Sequence, residues 1–215
     1  PALAKILQRI IRRHLQSDDP YRELKKQHNQ MLLDRYSQFE DIVKTSAHPI
    51  HTAMKMAIAG NVMDFGAHHF LDIDETLERV LHTPFAFDDS DQLFKELTDA
   101  ETLLYVGDNA GEIVLDRLFL QTLNHPKAYF AVRGAPVLND ATKEDAKQVN
   151  MDTVATVITT GDDSPGVNWE TSSDSFKQVF NKADVIISKG QGNLEGLIDL
   201  DVSVFFLFVA KCERI

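Results

Sequence analysis

Cysteine is nearly absent: Cys212 is the only one in 215 residues. A single thiol excludes an intrachain disulfide and a Cys-based zinc cluster. Long apolar runs are missing too. The best candidate, residues 202–210, falls far short of the ~20 residues of a bilayer-crossing helix and suits a buried strand. The opening PALAKILQRIIRRHLQ has neither the continuous apolar core nor the cleavage site of a secretory signal, so a cytoplasmic location is expected. Basic charge is scarce, with 22 Lys and Arg against 33 Asp and Glu and a net charge of −11. That balance repels phosphate polymers and anionic membranes, and so argues against nucleic-acid and membrane partners. A small anionic substrate stays open if a metal or a few basic groups reverse the field locally. Both ends are abrupt: Pro1 stands where methionine is usual, and the chain stops at Lys211 to Ile215 just as a helix is expected to begin. The expectation is of a chain trimmed from a longer one.

What is present is ordinary for a globular protein, with 43% hydrophobic and 26% charged residues and length enough for a full core. The first part reads as helices only. Ile6, Leu7, Ile10, Ile11 and Leu15 form an apolar stripe. After the breaker Ser17-Asp18-Asp19-Pro20, one long helix is expected over residues 21–43. His48-Pro49 opens a third, and amphipathic pieces follow over 74–82 and 91–97. From Thr102 the character changes. Apolar runs at 103–106, 128–132, 154–159, 185–188 and 202–209 alternate with helical patterns near 111–123, 142–149, 173–181 and 192–197. Strands separated by helices predict an α/β fold, a doubly wound and mostly parallel sheet in an α/β/α sandwich. The N-terminal helical region is placed at residues 1–88 and the α/β/α part at 89–215, with the boundary between Thr83 and Asp91.

Ligands of an open parallel sheet bind beyond the carboxyl ends of its strands. Reading just past each strand gives Gly107-Asp108-Asn109, Arg133-Gly134, Thr160-Gly161-Asp162-Asp163 and Lys189-Gly190. Asp108 and Asn109 offer hard oxygen donors suited to magnesium or manganese; from spacing alone, an Asx turn capping the next helix is the commoner use of such a pair. Thr142 and Asp145 fit a capping box, which competes with Asp145 as a further metal ligand. Asn139 and Asp140 stand in a loop entering a helix, where such residues are frequent. Lys189 beside two glycines can meet an anion, against the alternative of a surface lysine in a flexible loop. His48/His51 and His68/His69 lack a third ligand and read as helix-start and loop residues. Asp162-Asp163 with Trp169 reads as an exposed loop, with a lid as the sharper alternative. No GxSxG elbow, Walker loop or GxGxxG is present.

Taken together, GDNAGE, RGAPVLNDATKEDA and SKGQGNLE, with AIAGNVMDFGA ahead of them, resemble the DUF89 family of damage-control phosphatases and acidic-residue methyltransferase-1 relatives. The resemblance implies an α/β/α sandwich with a helical N-terminal region and a divalent metal of the Mn²⁺ or Mg²⁺ type, with Co²⁺ or Ni²⁺ as alternatives. By motif, Asp108, Asn109 and Asp145 match metal ligands, while Asn61, Arg133, Asn139, Lys189 and Asn193 match positions lining a phosphate pocket. One departure stands: the paired-cysteine CxxC segment with which many prokaryotic members begin is not in this sequence.

The expected activity is metal-dependent hydrolysis of small phosphorylated metabolites such as sugar phosphates. Lys189 and Arg133 would neutralise phosphate charge, Asp140 is the candidate base for water, and Asp108 as direct nucleophile is the alternative. The rival readings are an S-adenosylmethionine-dependent carboxyl methyltransferase and a non-catalytic metal-binding protein. Substrate identity and oligomeric state are not legible.

Overall fold

The computed structural model describes residues 2–62 and 73–210. Six helices come first: α1 (Ala2–Leu15), α2 (Arg22–Leu33), α3 (Tyr36–Thr45), α4 (Pro49–Val62), α5 (Ile73–His82) and α6 (Ser90–Asp99). Strands and helices then alternate: β1 (Leu103–Val106), α7 (Ile113–Leu123), β2 (Ala128–Val132), α8 (Lys143–Gln148), β3 (Thr156–Thr159), α9 (Asp174–Phe180), β4 (Val185–Lys189), α10 (Gln191–Leu197) and β5 (Phe205–Leu207). The sheet order is β3-β2-β1-β4-β5, and every pairing is parallel. The α/β sandwich expected from the alternation is therefore the fold. Among the described residues, no helix is long and apolar enough to cross a membrane.

The central strand β1, Leu-Leu-Tyr-Val, is buried along its whole length, as a parallel strand covered on both faces should be. Successive side chains serve opposite faces. Leu103 and Tyr105 join Phe130, Val185 and Ile187 under the helical layer, in one apolar cluster that reaches Leu32, Phe39 and Met56. Leu104 and Val106 face the other way, against Phe176, Phe180 and Leu197. The sheet order reverses direction between β1 and β4, and the ends of those two strands are where open parallel sheets of this kind take ligands. Close packing of α4 on α7 brings the helical layer to that crevice. A methyl group on Gly60 would stand 2.8 Å from Glu112 Cβ, so glycine is what allows the two helices to approach there.

Three expectations change. The single helix over 21–43 is two, because Arg35 leaves helical geometry (φ −108°, ψ 5°). Its guanidinium is drawn to Asp74, while Tyr36 turns its hydroxyl to Gln121 at 3.0 Å and its ring under Arg117. Tertiary contacts thus override local propensity. The last strand is confined to Phe205–Leu207. Finally, α1 docks by its basic face. Ile6, Leu7, Ile10 and Leu15 are each about half exposed, whereas Lys5, Arg9 and Arg12, spaced to share the opposite face, hold the segment after β3. Arg9 donates to both Asp163 oxygens at 2.8 and 3.0 Å, Arg12 to Asp163 at 2.6 Å and to the Pro136 carbonyl at 2.8 Å. Lys5 pairs with Asp162 and Asp163. The loop expected to be exposed is buried at Asp162, Asp163 and Ser164, and Trp169 packs on Phe180 with ring centroids 4.9 Å apart.

Burial raises the Asp162 and Asp163 carboxyls, but hydrogen bonds outweigh it and hold both below the usual range: Lys5, Ser164 and Thr171 act on the first, Arg9, Arg12 and Lys5 on the second. A carboxylate with a lowered folded-state pKa stabilises above its unfolded value, ~3.9 for Asp. That contribution is lost as pH falls towards the folded value. Hydrogen–deuterium exchange, corrected for intrinsic rates and compared with α7, should therefore find α1 protected at about pH 6 and losing protection below about pH 4. Asp163→Asn should lose it already at neutral pH. Equal protection of α1 in all three cases would contradict the ionic docking.

Candidate active site at the strand ends

The loops after β1 and β2 are zipped together by backbone. Ala110 N–H donates to the Asn139 carbonyl at 2.8 Å, Ala141 N–H to the Asp108 carbonyl at 2.8 Å, and Arg133 N–H to the Ala141 carbonyl at 2.9 Å. Asn109 and Asp140 form an isolated antiparallel bridge. The zipper brings Asp140, distant in sequence, to the Asp108-Asn109 turn. Asn139 takes part through its backbone carbonyl. Asp108 accepts from Asn109 Nδ2 at 2.9 Å, from Asn61 Nδ2 at 3.3 Å and from Arg133 Nη2 at 3.3 Å. Gly190 lies so close that a Cβ there would stand 2.0 Å from Asp108 Oδ2, and its φ is +77°; only glycine fits on both counts.

Arg133 is buried and spreads across the rim. Its Nε donates to Asp140, and its Nη2 donates to Asn193 at 2.9 Å as well as to Asp108. Its Nη1 is buried without a hydrogen-bond partner, as is Asn61 Oδ1. Lys189 is wholly buried rather than on the surface. Its ammonium donates to the Ala57 carbonyl and to Asp116 Oδ1, each at 2.7 Å, and lies 3.7 Å from Glu112. Tyr105 donates to the same Asp116 oxygen at 2.7 Å. Glu112 in turn accepts from the Asn109 backbone N–H at 2.7 Å and from Asn61 Nδ2 at 3.1 Å. Lys189 is thus a buried brace between α4, α7 and β4.

Four carboxylates (Asp108, Glu112, Asp116 and Asp140) face two cations (Arg133 and Lys189) in this cluster, an excess of two negative charges when all are ionised. The carboxyls respond as expected for charge in a dry site. Burial, then the charges of Glu112 and Asp140, raise Asp108 well above the ordinary range against the pull of Arg133 and Lys189. Burial raises Asp140 despite Arg133 and a backbone N–H bond from Gly166. Asp116 is pushed up to about 6 by burial, opposed by Lys189. Burial would lower Lys189, but Asp116 and Glu112 hold it above its usual value.

Asp145 is placed differently from the expectation that grouped it with Asp108 and Asn109. It is the capping-box residue of α8: its Oδ2 accepts from the Thr142 backbone N–H at 2.9 Å and hydroxyl at 2.7 Å. Lys25 lies 3.3 Å from the same oxygen, and Asn29 Nδ2 donates to the other at 3.0 Å. Lys25 also pairs with Asp19 at 2.9 Å. Both Asp145 oxygens are therefore committed to holding α2 against α8. Asn29 carries that link to the turn, its Oδ1 accepting from Gly111 N–H at 2.6 Å. His68 and His69, and the end of AIAGNVMDFGA, lie outside the described residues.

The sequence reading missed Glu112, Asp116 and Asn29. For the first two a signal existed, since two acidic residues one turn apart, in a helix otherwise as apolar as IVLDRLFL, imply buried charge with a partner. Asn29, within the polar face of RELKKQHNQMLL, carried none. Among the described residues, no three His, Cys, Asp or Glu side chains gather as a ready-made metal cluster; the candidate oxygen donors at the rim are the carboxylates of Asp108 and Asp140, both bonded by Arg133, and the amide of Asn109, whose Nδ2 donates to Asp108. The donors are hard, the carboxyls outnumber the cations four to two, and Arg133 Nη1, Asn61 Oδ1 and Asp116 Oδ2 are buried without partners. These observations fit a divalent cation with an anionic ligand.

A parallel sheet with such a rim at its reversal point defines an α/β/α protein whose polar cluster lies where such sheets take ligands. Over residues 1–215 the chain matches the damage-control phosphatase ARMT1-like domain, and it belongs to that family. It is similar to a damage-control phosphatase of Pyrococcus horikoshii, 38% identical over 94% of this chain and 71% of that protein. It is also similar to a damage-control phosphatase of Archaeoglobus fulgidus, 31% identical over 99% of this chain and 76% of the relative. The crystal structure of a DUF89 family protein from Pyrococcus horikoshii shares the fold at a TM-score of 0.83 and 38% identity, over 94% of this chain and 72% of that one.

Because Lys189 neutralises Asp116 and Glu112 away from water, Lys189→Met should leave two buried carboxylates uncompensated and cost ~3–5 kcal/mol. Adding Asp116→Asn should recover part of it. Urea unfolding of the two variants checks this; a Lys189→Met loss below about 1 kcal/mol would show that the ammonium is not the brace described.

Proposed function

We propose that the chain is a metal-dependent phosphatase acting on small phosphorylated metabolites, of the sugar-phosphate kind. The observation that carries the proposal is the buried rim of four carboxyls and two cations, holding a guanidinium whose Nη1 has no hydrogen-bond partner. Relatives named damage-control phosphatases support the phosphatase part. In this reading the divalent cation, of the Mn²⁺ or Mg²⁺ type, is held by Asp108, Asn109 and Asp140, with Asp140 in the place first expected of Asp145. When bound, it polarises the phosphoryl group and acidifies water.

The rest belongs to the chain's own side chains. Arg133 offers its free Nη1 to a phosphoryl oxygen while Nε and Nη2 keep the guanidinium plane fixed, a geometry suited to phosphate. Asn61, brought from α4 to Asp108, offers its free Oδ1 to a hydroxyl or to water. Glu112 keeps the Asp108-Asn109 turn in register through the Asn109 N–H. Asp140, held in place by Arg133, is the group that takes a proton from the attacking water in its ionised form. Lys189 acts from behind, compensating Glu112 and Asp116, and not as a phosphate ligand.

A panel of metals against phosphorylated substrates, with released phosphate as the readout, tests this. Asp108→Asn and Asp140→Asn should each lower metal-stimulated turnover by ~10²-fold or more, whereas Asp145→Asn should stay within about tenfold of the parent and lose thermal stability instead. Turnover that survives Asp140→Asn but not Asp145→Asn would reverse the ligand assignment. Absence of metal-stimulated release from the unaltered chain would remove the phosphatase reading.

A further inference from the structure

Asn193 was first read as a pocket-lining group, yet it is fully buried and every hydrogen-bonding position of its amide is taken. Nδ2 donates to the Gly107 carbonyl at 3.1 Å and to the Lys189 carbonyl at 2.7 Å. Oδ1 accepts from Arg133 Nη2 at 2.9 Å and from Val167 N–H at 2.9 Å. A side-chain amide has two donors and two acceptor sites, so nothing is left for a ligand. The four partners come from four places: the end of β1, the end of β4, the residue after β2, and the loop after β3.

The loop is held against α10 by bare backbone. A Cβ on Gly166 would stand 2.3 Å from the Gly192 carbonyl oxygen, and one on Gly196 would stand 1.8 Å from the Val167 carbonyl oxygen. The backbone of this loop then serves the rim, Val167 N–H bonding Asn193 while the neighbouring Gly166 lowers the Asp140 carboxyl. At its other end the loop is gripped by α1 through Asp162 and Asp163.

We propose that Asn193 is a positioning residue for Arg133: its Oδ1 fixes the guanidinium so that Nη1 is left free for a phosphoryl oxygen, and it ties the loop after β3 to that same orientation. The proposal deepens the phosphatase reading and, for its kinetic part, rests on it. Physically, a guanidinium with its Nη1 unpaired and its Nε and Nη2 held is pre-organised for an anion. Without the Asn193 acceptor, Nη2 keeps only its longer bond to Asp108, and the loop loses its Val167 tie to the rim.

The test has two arms, both on the full chain. In the first, the Arg133 Nε–Hε resonance is assigned by NMR through its disappearance in Arg133→Lys, and its hydrogen exchange is measured without metal or substrate. Asn193→Ala should speed that exchange at least about tenfold, while Asn193→Asp, which keeps an acceptor for Arg133 and replaces the donors by a charged oxygen, should leave it within about threefold of the parent. Unchanged exchange in Asn193→Ala overturns the proposal whether or not the protein is a phosphatase. If that variant does not fold, Asn193→Ser is read in its place with the same expectation. In the second arm, kcat/KM for phosphate release is measured in a double-mutant cycle. Asn193→Ala should cost about ten- to a hundredfold alone and less than about threefold when Arg133 is already alanine. Losses that multiply in the double variant show that Asn193 acts on substrate independently and overturn the proposal. No release by the unaltered chain counts against the phosphatase reading alone, and the exchange arm then decides.

Discussion

Two carboxylates, Asp108 and Asp140, are forced together by a backbone zipper between the loops that leave β1 and β2, and a guanidinium is threaded between them. Bringing like charges together in a dry place is unfavourable unless something opposes it. Arg133 and, one layer behind, Lys189 supply part of the opposition, and the cluster still carries more negative than positive charge. The surrounding structure can be understood as what keeps this unfavourable assembly in place. The α4–α7 contact at Gly60 delivers Asn61 and Glu112, Asn193 ties the strand ends to one another, and the loop after β3 is pinned by α1.

The fold was largely legible because its signal is repetitive. Apolar runs such as LLYV and AYFAV, separated by helical patterns, admit few arrangements other than a parallel sheet covered on both faces. Where the sequence misled, a distant partner had intervened. Nothing local in the stretch around Asp34, Arg35 and Tyr36 breaks a helix; the break follows from Asp74, Gln121 and Arg117, which lie far along the chain. The apolar stripe of α1 is what its periodicity shows, yet it is the basic residues on the other side that find Asp162 and Asp163. Periodicity reports which face is apolar, and only tertiary structure decides which face is used.

The rim shows the same division. That Asp108, Asn109, Arg133 and Lys189 belong to one place followed from each lying just past an expected strand; Asn193 joined them through the family resemblance, and Asp140 was legible only as a loop residue and candidate base. The roles within it were less legible. Asp145 and Asp140 are both acidic residues near the start of α8, and spacing does not separate the one that caps from the one that faces Asp108. The capping box was visible in Thr142-Lys143-Glu144-Asp145, and it is what Asp145 serves. Lys189 beside two glycines looked like an exposed anion ligand because its counter-charges, Glu112 and Asp116, sit in a helix read only for its apolar positions.

The central claim is that the excess negative charge of this rim takes one divalent cation through Asp108, Asn109 and Asp140. Calorimetric titration of Mn²⁺ into the metal-free chain, with Asp140→Asn alongside, tests it most directly. The account predicts a single ion per chain and an affinity reduced ~10-fold or more in Asp140→Asn. Absence of binding to the unaltered chain, or equal binding after Asp140→Asn, would contradict it.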